Sequence, residues 1–147
     1  MNTEKIIAVA KRTIELEAES VAALQLAIDE QFVKAVQQIS QSKGRVVVSG
    51  IGKSAIIAQK IVATFNSTGT PGLYMHAADA IHGDLGMVQP DDVVMVISKS
   101  GNSPEIKVLV PLIKRFGNPL IGMVGNTDSY LAKNASVVLN TTVSQEA

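Results

Sequence analysis

The sequence contains no cysteine and no tryptophan. Without thiols there is no disulfide, no thiolate metal site and no cysteine nucleophile. Aromatic residues are scarce: Phe32, Phe65, Tyr74, Phe116 and Tyr130 are the whole set. That is too few for a base-stacking platform. An excess of charge is missing as well, because 13 Lys+Arg balance 13 Asp+Glu. A neutral chain casts no long-range basic field to gather nucleic acid. No apolar run approaches the ~20 residues of a membrane-crossing helix. The tightest, Val93 to Ile97, has strand length. Glu4, Lys5, Lys11, Arg12, Glu15, Glu17 and Glu19 interrupt the first 28 residues, so no apolar signal core survives there. The expected location is the cytoplasm, with neither nucleic acid nor membrane as partner. What remains is a core-forming chain of 147 residues, 46% apolar, of one-domain size. Such a chain buries roughly 70% of the surface its unfolded form exposes.

The chain divides into an N-terminal helical segment, 1–43, and an α/β body, 44–147. Ile7, Ile14, Val21 and Ile28 fall seven apart, with Ala10 and Leu24 between them. This is a narrow apolar stripe, suited either to packing on its own domain or to a second subunit. Asp29 re-caps the chain into a second helix reaching about Ser42. The body opens with the β-branched run Arg45 to Ser49, closed by Gly50-Ile51-Gly52. A helix is expected from Lys53 to Asn66, apolar on more than one side through Ile56, Ile57, Ile61, Val62 and Phe65. Gly69-Thr70-Pro71 turns the chain into a strand ending at Met75. A loop holding His76, Asp79, His82 and Asp84 follows. Val93 to Ile97 is the next strand, Glu105 to Phe116 the next helix, and Pro119 to Val124 a further strand. A short helix near Ser129 precedes a last strand, Ser136 to Leu139. The strands are nearly all apolar, as strands buried on both faces are. The predicted fold is a three-layer α/β/α sandwich with a parallel sheet of five strands. Ligands in such folds bind beyond the carboxyl ends of the strands, which singles out residues 49–54, 69–84 and 98–105.

Two of these stretches suit an anion. In Gly50-Ile51-Gly52-Lys53-Ser54-Ala55, the glycines let backbone approach a ligand at a helix N-terminus, and Lys53 adds a full charge. A Walker A loop is excluded, because Val47 stands where its first glycine belongs. The pattern fits the Gly-x-Gly-x-x-Ala variant of the dinucleotide fingerprint, but no acid ends the next strand to bind a ribose. A plain tight turn is the remaining alternative. The second stretch, Ser98-Lys99-Ser100-Gly101-Asn102-Ser103, offers three hydroxyls and a glycine at another helix start. Two such loops on one sheet point to a small phosphorylated ligand held between them.

The combination of Gly-x-Gly-Lys-Ser (50–54), Ser-Thr-Gly-Thr-Pro (67–71), His-Gly-Asp-Leu-Gly (82–86) and Ser-x-Ser-Gly-x-Ser (98–103) resembles the sugar isomerase (SIS) domain. More narrowly it resembles the D-arabinose 5-phosphate isomerases, in order and over nearly the whole chain. The resemblance implies interconversion of D-arabinose 5-phosphate and D-ribulose 5-phosphate through a cis-enediol, feeding synthesis of the lipopolysaccharide sugar Kdo. No cofactor is expected, and the family suggests a homo-oligomer, a tetramer. Lys53, Glu105 and Glu146 match the family's catalytic lysine and two functional glutamates. Gly52, Ser54, Gly69, Thr70, His82, Ser98, Ser100 and Ser103 match its substrate contacts. His76 aligns with a histidine the family associates with an inhibitory zinc. Close relatives carry Asn and Glu where this chain has Lys99 and Asn102. The family also continues past Glu146 with a further helix and a histidine loop, so the chain is expected to be a SIS domain without its last helix. The alternatives to catalysis are a sugar-phosphate sensor and a fragment that assembles through its first helix.

Overall fold

The computed structural model describes residues 2–143 and 145. In chain order the elements are α1 (Thr3–Ala23), α2 (Glu30–Gln41), β1 (Val46–Gly50), α3 (Lys53–Ser67), β2 (Gly72–His76) and α4 (Ala77–Ala80). Then come β3 (Val93–Ser98), α5 (Pro104–Phe116), β4 (Leu120–Val124), α6 (Tyr130–Asn134) and β5 (Val137–Asn140). Short 3-10 turns cover Leu24–Ala27 and Asp84–Met87. The stretch after β2, expected as a plain loop, is therefore partly helical. Ala77 and Ala80 are buried, so the turn packs under the body instead of looping free.

The strands form one parallel sheet in the order β2-β1-β3-β4-β5. Strand side chains alternate between faces, and both faces here meet helices. Val46, Val48, Val93, Met95, Ile97, Ile121 and Val137 enter one core with Ala35 of α2 and Ala58 and Val62 of α3. Val47, Val94, Val96, Leu120 and Val124 enter the other, with Ile106, Leu109, Val110 and Ile113 of α5 and Leu131 of α6. A strand buried on both faces has no polar alternation to show, which is why these runs read as continuously apolar.

One expectation about α3 fails. Its sheet-facing residues are the small Ala55 and Ala58 with Val62, while Ile56 and Ile57 are exposed. The start of α3 sits very close to β1, where a Cβ on Gly50 would lie 2.9 Å from the Ser54 carbonyl. At that separation the facing side chains must be small.

The opposite, amino end of the sheet is held by a buried carboxylate. Asp92 accepts from the backbone N–H of Arg45 at 2.7 Å, from its guanidinium at 2.7 Å and from the Gln89 N–H at 2.9 Å. Burial by itself pushes the Asp92 carboxyl up, but the guanidinium hydrogen bond, the two backbone N–H groups and the Arg45 charge outweigh it, holding the group below its ordinary value. The same pairing raises Arg45. No helix among the described residues is long and apolar enough to cross a membrane.

Candidate functional site

The strand order creates the site. From β1 the chain passes through α3 to β2 on one side, whereas from β3 it passes through α5 to β4 on the other. Where adjacent parallel strands send their connections in opposite directions, a crevice opens at their carboxyl ends. Here it is a cavity of about 450 Å³ lined by Ile51, Ser54, Ser98, Lys99, Ser100, Ser103, Gly125 and Asn126. Four hydroxyls, one amide and one ammonium thus border a space that suits a small ligand. A larger apolar hollow of about 550 Å³ lies elsewhere, between α2 and α3, and contains no ionisable side chain.

Both helices that start at the crevice begin without a side-chain cap. The N-cap of α3 is Gly52, which has no side chain and sits at φ 58°, ψ −130°. The positive φ explains why glycine stands there. The N-cap of α5 is Ser103, whose side chain makes no capping bond and whose buried Oγ has no hydrogen-bond partner. Helix starts leave unpaired N–H groups and positive partial charge. Uncapped, they suit an anion.

The 98–103 loop is rigid by construction. The Gly101 N–H donates to Ser98 Oγ at 3.1 Å, and the Asn102 N–H to Ser100 Oγ at 3.3 Å. The Gly101 carbonyl accepts from Leu131 N–H at 3.0 Å, and Asn102 Oδ1 from Tyr130 N–H at 2.9 Å. Gly101 adopts φ 62°, and a Cβ there would collide with Ser129. The Lys99 carbonyl accepts from Gly125 N–H at 3.0 Å, tying the loop after β3 to the loop after β4. The two residues that depart from the family pattern thus do different things. Lys99 lines the cavity, and Asn102 staples the loop to α6.

Ser54, Ser98, Ser100 and Ser103 lie together on this cavity. Gly52 and Lys53 stand at its α3 side and Glu105 in the first turn of α5, Lys53 exposed and Glu105 half-buried. His76 ends β2 beside Gly50 in the sheet register, and His82 is exposed in the turn that follows. Asp79 Oδ2 is 3.6 Å from His76 Nδ1, too far for a hydrogen bond. Among the described residues no three His, Asp or Glu side chains converge on a metal position. A zinc at His76 therefore lacks a third protein ligand within one chain.

Gly69 and Thr70 are the exception. They precede β2, so they lie at the amino end of the sheet and line the apolar hollow with Pro71, Gly44 and Val46. A five-residue strand separates the two ends by about 15 Å. Within one chain they cannot join the serine loop. Glu146 lies outside the described residues. Sequence reasoning misses Gly125 and Asn126, which read only as the end of a strand. Their signal is positional: they follow the strand beside β3.

The SIS domain family model matches residues 38–147. The chain belongs to the SIS family. Arabinose 5-phosphate isomerase KdsD of Pseudomonas aeruginosa is 52% identical over 138 residues, covering 94% of this chain and 42% of that protein. KdsD of Escherichia coli K12 is 46% identical over 137 residues, covering 93% and 42%. The chain therefore spans about four tenths of the length of the curated relatives it matches. Among solved structures, the c3406 protein of E. coli CFT073, in complex with a sugar phosphate, superposes with a TM-score of 0.94 at 38% identity, covering 99% of this chain and 78% of that one. This SIS member thus shares its fold, nearly residue for residue in extent, with a relative that carries a bound ligand.

Proposed function

We propose that this chain is the SIS body of an isomerase that interconverts D-arabinose 5-phosphate and D-ribulose 5-phosphate, supplying the lipopolysaccharide sugar Kdo. The observation that carries the reading is the hydroxyl-lined cavity between two uncapped helix starts, taken with relatives named for this reaction. A phosphate dianion is matched there by neutral O–H and N–H donors and by Lys99.

The chemistry assigned to this chain needs no redox group. A base removes the C2 proton of the open-chain aldose, O1 takes up the negative charge of the enediolate, an acid returns a proton to C1, and the O2 proton passes to O1. Glu105, in the first turn of α5, is the carboxylate we assign to proton transfer. Lys53, at the start of α3, is assigned to the enediolate oxygen, where an ammonium stabilises developing charge. Glu146 is retained as a second carboxylate, and His82 as a hydroxyl contact. Gly69 and Thr70 can reach a substrate only from a second copy of the chain.

The test is direct. The protein is incubated with D-arabinose 5-phosphate, and D-ribulose 5-phosphate is measured. Turnover is expected, with Lys53→Ala and Glu105→Gln each reducing kcat by at least ~100-fold. Unchanged rates in both variants would overturn the assigned roles. Thermal stabilisation by the sugar phosphate without turnover would make the chain a sensor.

A further inference from the structure

α1 has 21 residues and none is buried. Helices in proteins owe most of their stability to packing an apolar face, so a helix this long with no buried residue is short of a partner. Its half-buried residues, Thr13, Leu16 and Ser20, mark the side turned toward the rest of the chain. At 100° per residue, Ile7, Ala10, Ile14, Ala18 and Val21 fall within an arc of roughly 80° centred about a third of a turn away. Ile7, Ile14 and Val21 are 51%, 66% and 68% exposed.

We infer that this stripe is a self-association seam, on which α1 packs antiparallel against α1 of a second copy, about a two-fold axis passing beside Ile14. Two independent features specify that arrangement. The first is the order of side-chain sizes, which is symmetric about Ile14. In an antiparallel pair centred there, Ile7 meets Val21 of the second copy, Ala10 meets its Ala18, and Ile14 meets its own counterpart. Large residues then pack in register, and the alanines let the helices approach closely.

The second feature is charge. Residues 3–13 carry Lys5, Lys11 and Arg12 against one acid, Glu4, while residues 14–23 carry Glu15, Glu17 and Glu19 and no base. Parallel pairing sets like charge beside like. Antiparallel pairing lays the basic half of each helix along the acidic half of the other, twice by symmetry, with Lys11 level with Glu17 of the second copy. The split does not serve the helix's own dipole, because its last turn holds no base. The contacts it makes within one chain are long and exposed, Arg12 to Glu15 at 3.7 Å and to Glu19 at 3.9 Å, so they hold the charges weakly.

A chain free of cysteine makes the test clean. Sedimentation at micromolar concentration is expected to show a dimer or a larger even-numbered species. Ile14→Glu weakens association about 100-fold or more, because it desolvates two carboxylates at the axis. Its exposed position leaves the body folded, which circular dichroism checks. Under mild oxidation Ile14→Cys forms a disulfide-linked dimer, Ile7→Cys alone does not, and a mixture of Ile7→Cys with Val21→Cys does. Replacing Lys5, Lys11 and Arg12 by Glu weakens the pair, and adding Glu15→Lys, Glu17→Lys and Glu19→Lys in the same chain restores it. A wild-type monomer, an unchanged mass for Ile14→Glu, or cross-linking of Ile7→Cys to itself would each overturn the seam.

Discussion

Asp92→Asn is the most informative single perturbation of the scaffold. Asp92 is 1% exposed and sits where β1, β3 and the Asp84–Met87 turn converge. Its Oδ1 accepts from Arg45 N at 2.7 Å and Nε at 3.3 Å. Its Oδ2 accepts from Arg45 Nη2 at 2.7 Å and Gln89 N at 2.9 Å. Each oxygen thus meets two donors. An asparagine amide has one oxygen, so either orientation faces its NH₂ toward two N–H groups. Breaking a buried pair costs about 3–5 kcal/mol. Arg45 is 35% exposed and recovers some hydration, which favours the lower end, about 3 kcal/mol.

The pH dependence follows from the sign of the shift. Asp92 titrates lower folded than unfolded, so its contribution is present above the unfolded value and is lost as pH falls through the folded one. Urea unfolding followed by far-UV circular dichroism should show the gap between wild type and Asp92→Asn at pH 7, narrowing below about pH 4. A gap under ~1 kcal/mol at pH 7, or one unchanged at about pH 2.5, would refute the reasoning.

Gly101→Ala forces a Cβ into Ser129 at a backbone angle that disfavours side chains. It should cost about 2 kcal/mol and raise KM by displacing the serine loop, as a thermal melt and a KM comparison will show. Lys99→Gln should raise KM for the sugar phosphate by up to about tenfold at low salt, with kcat unchanged. That difference should shrink with added salt, because Lys99 is exposed.

Much of this protein was legible in its sequence. The strands declared themselves through β-branched runs such as Val46-Val47-Val48, because a segment buried on both faces has no other composition open to it. The loops after β1 and β3 declared themselves through glycines and serines, because positive φ angles and helix starts restrict which residues fit. The palindromic stripe of α1 is likewise written in the chain order of its side chains.

Other features depended on which strand lies beside which. The order β2-β1-β3-β4-β5 brings Gly52 and Ser54 next to Ser98 and Ser103, forty-odd residues away, and adds Gly125 and Asn126 to the same crevice. It leaves Gly69 and Thr70 at the other end of the sheet, although they stand closer in sequence to the first loop. Tertiary packing also separated Lys99 from Asn102, exposed Ile56 and Ile57, and joined Arg45 to Asp92. Local pattern reports whether a residue is buried and how its backbone turns. Strand order and the spacing between layers come from packing the whole chain at once, and they decide which loops share a cavity.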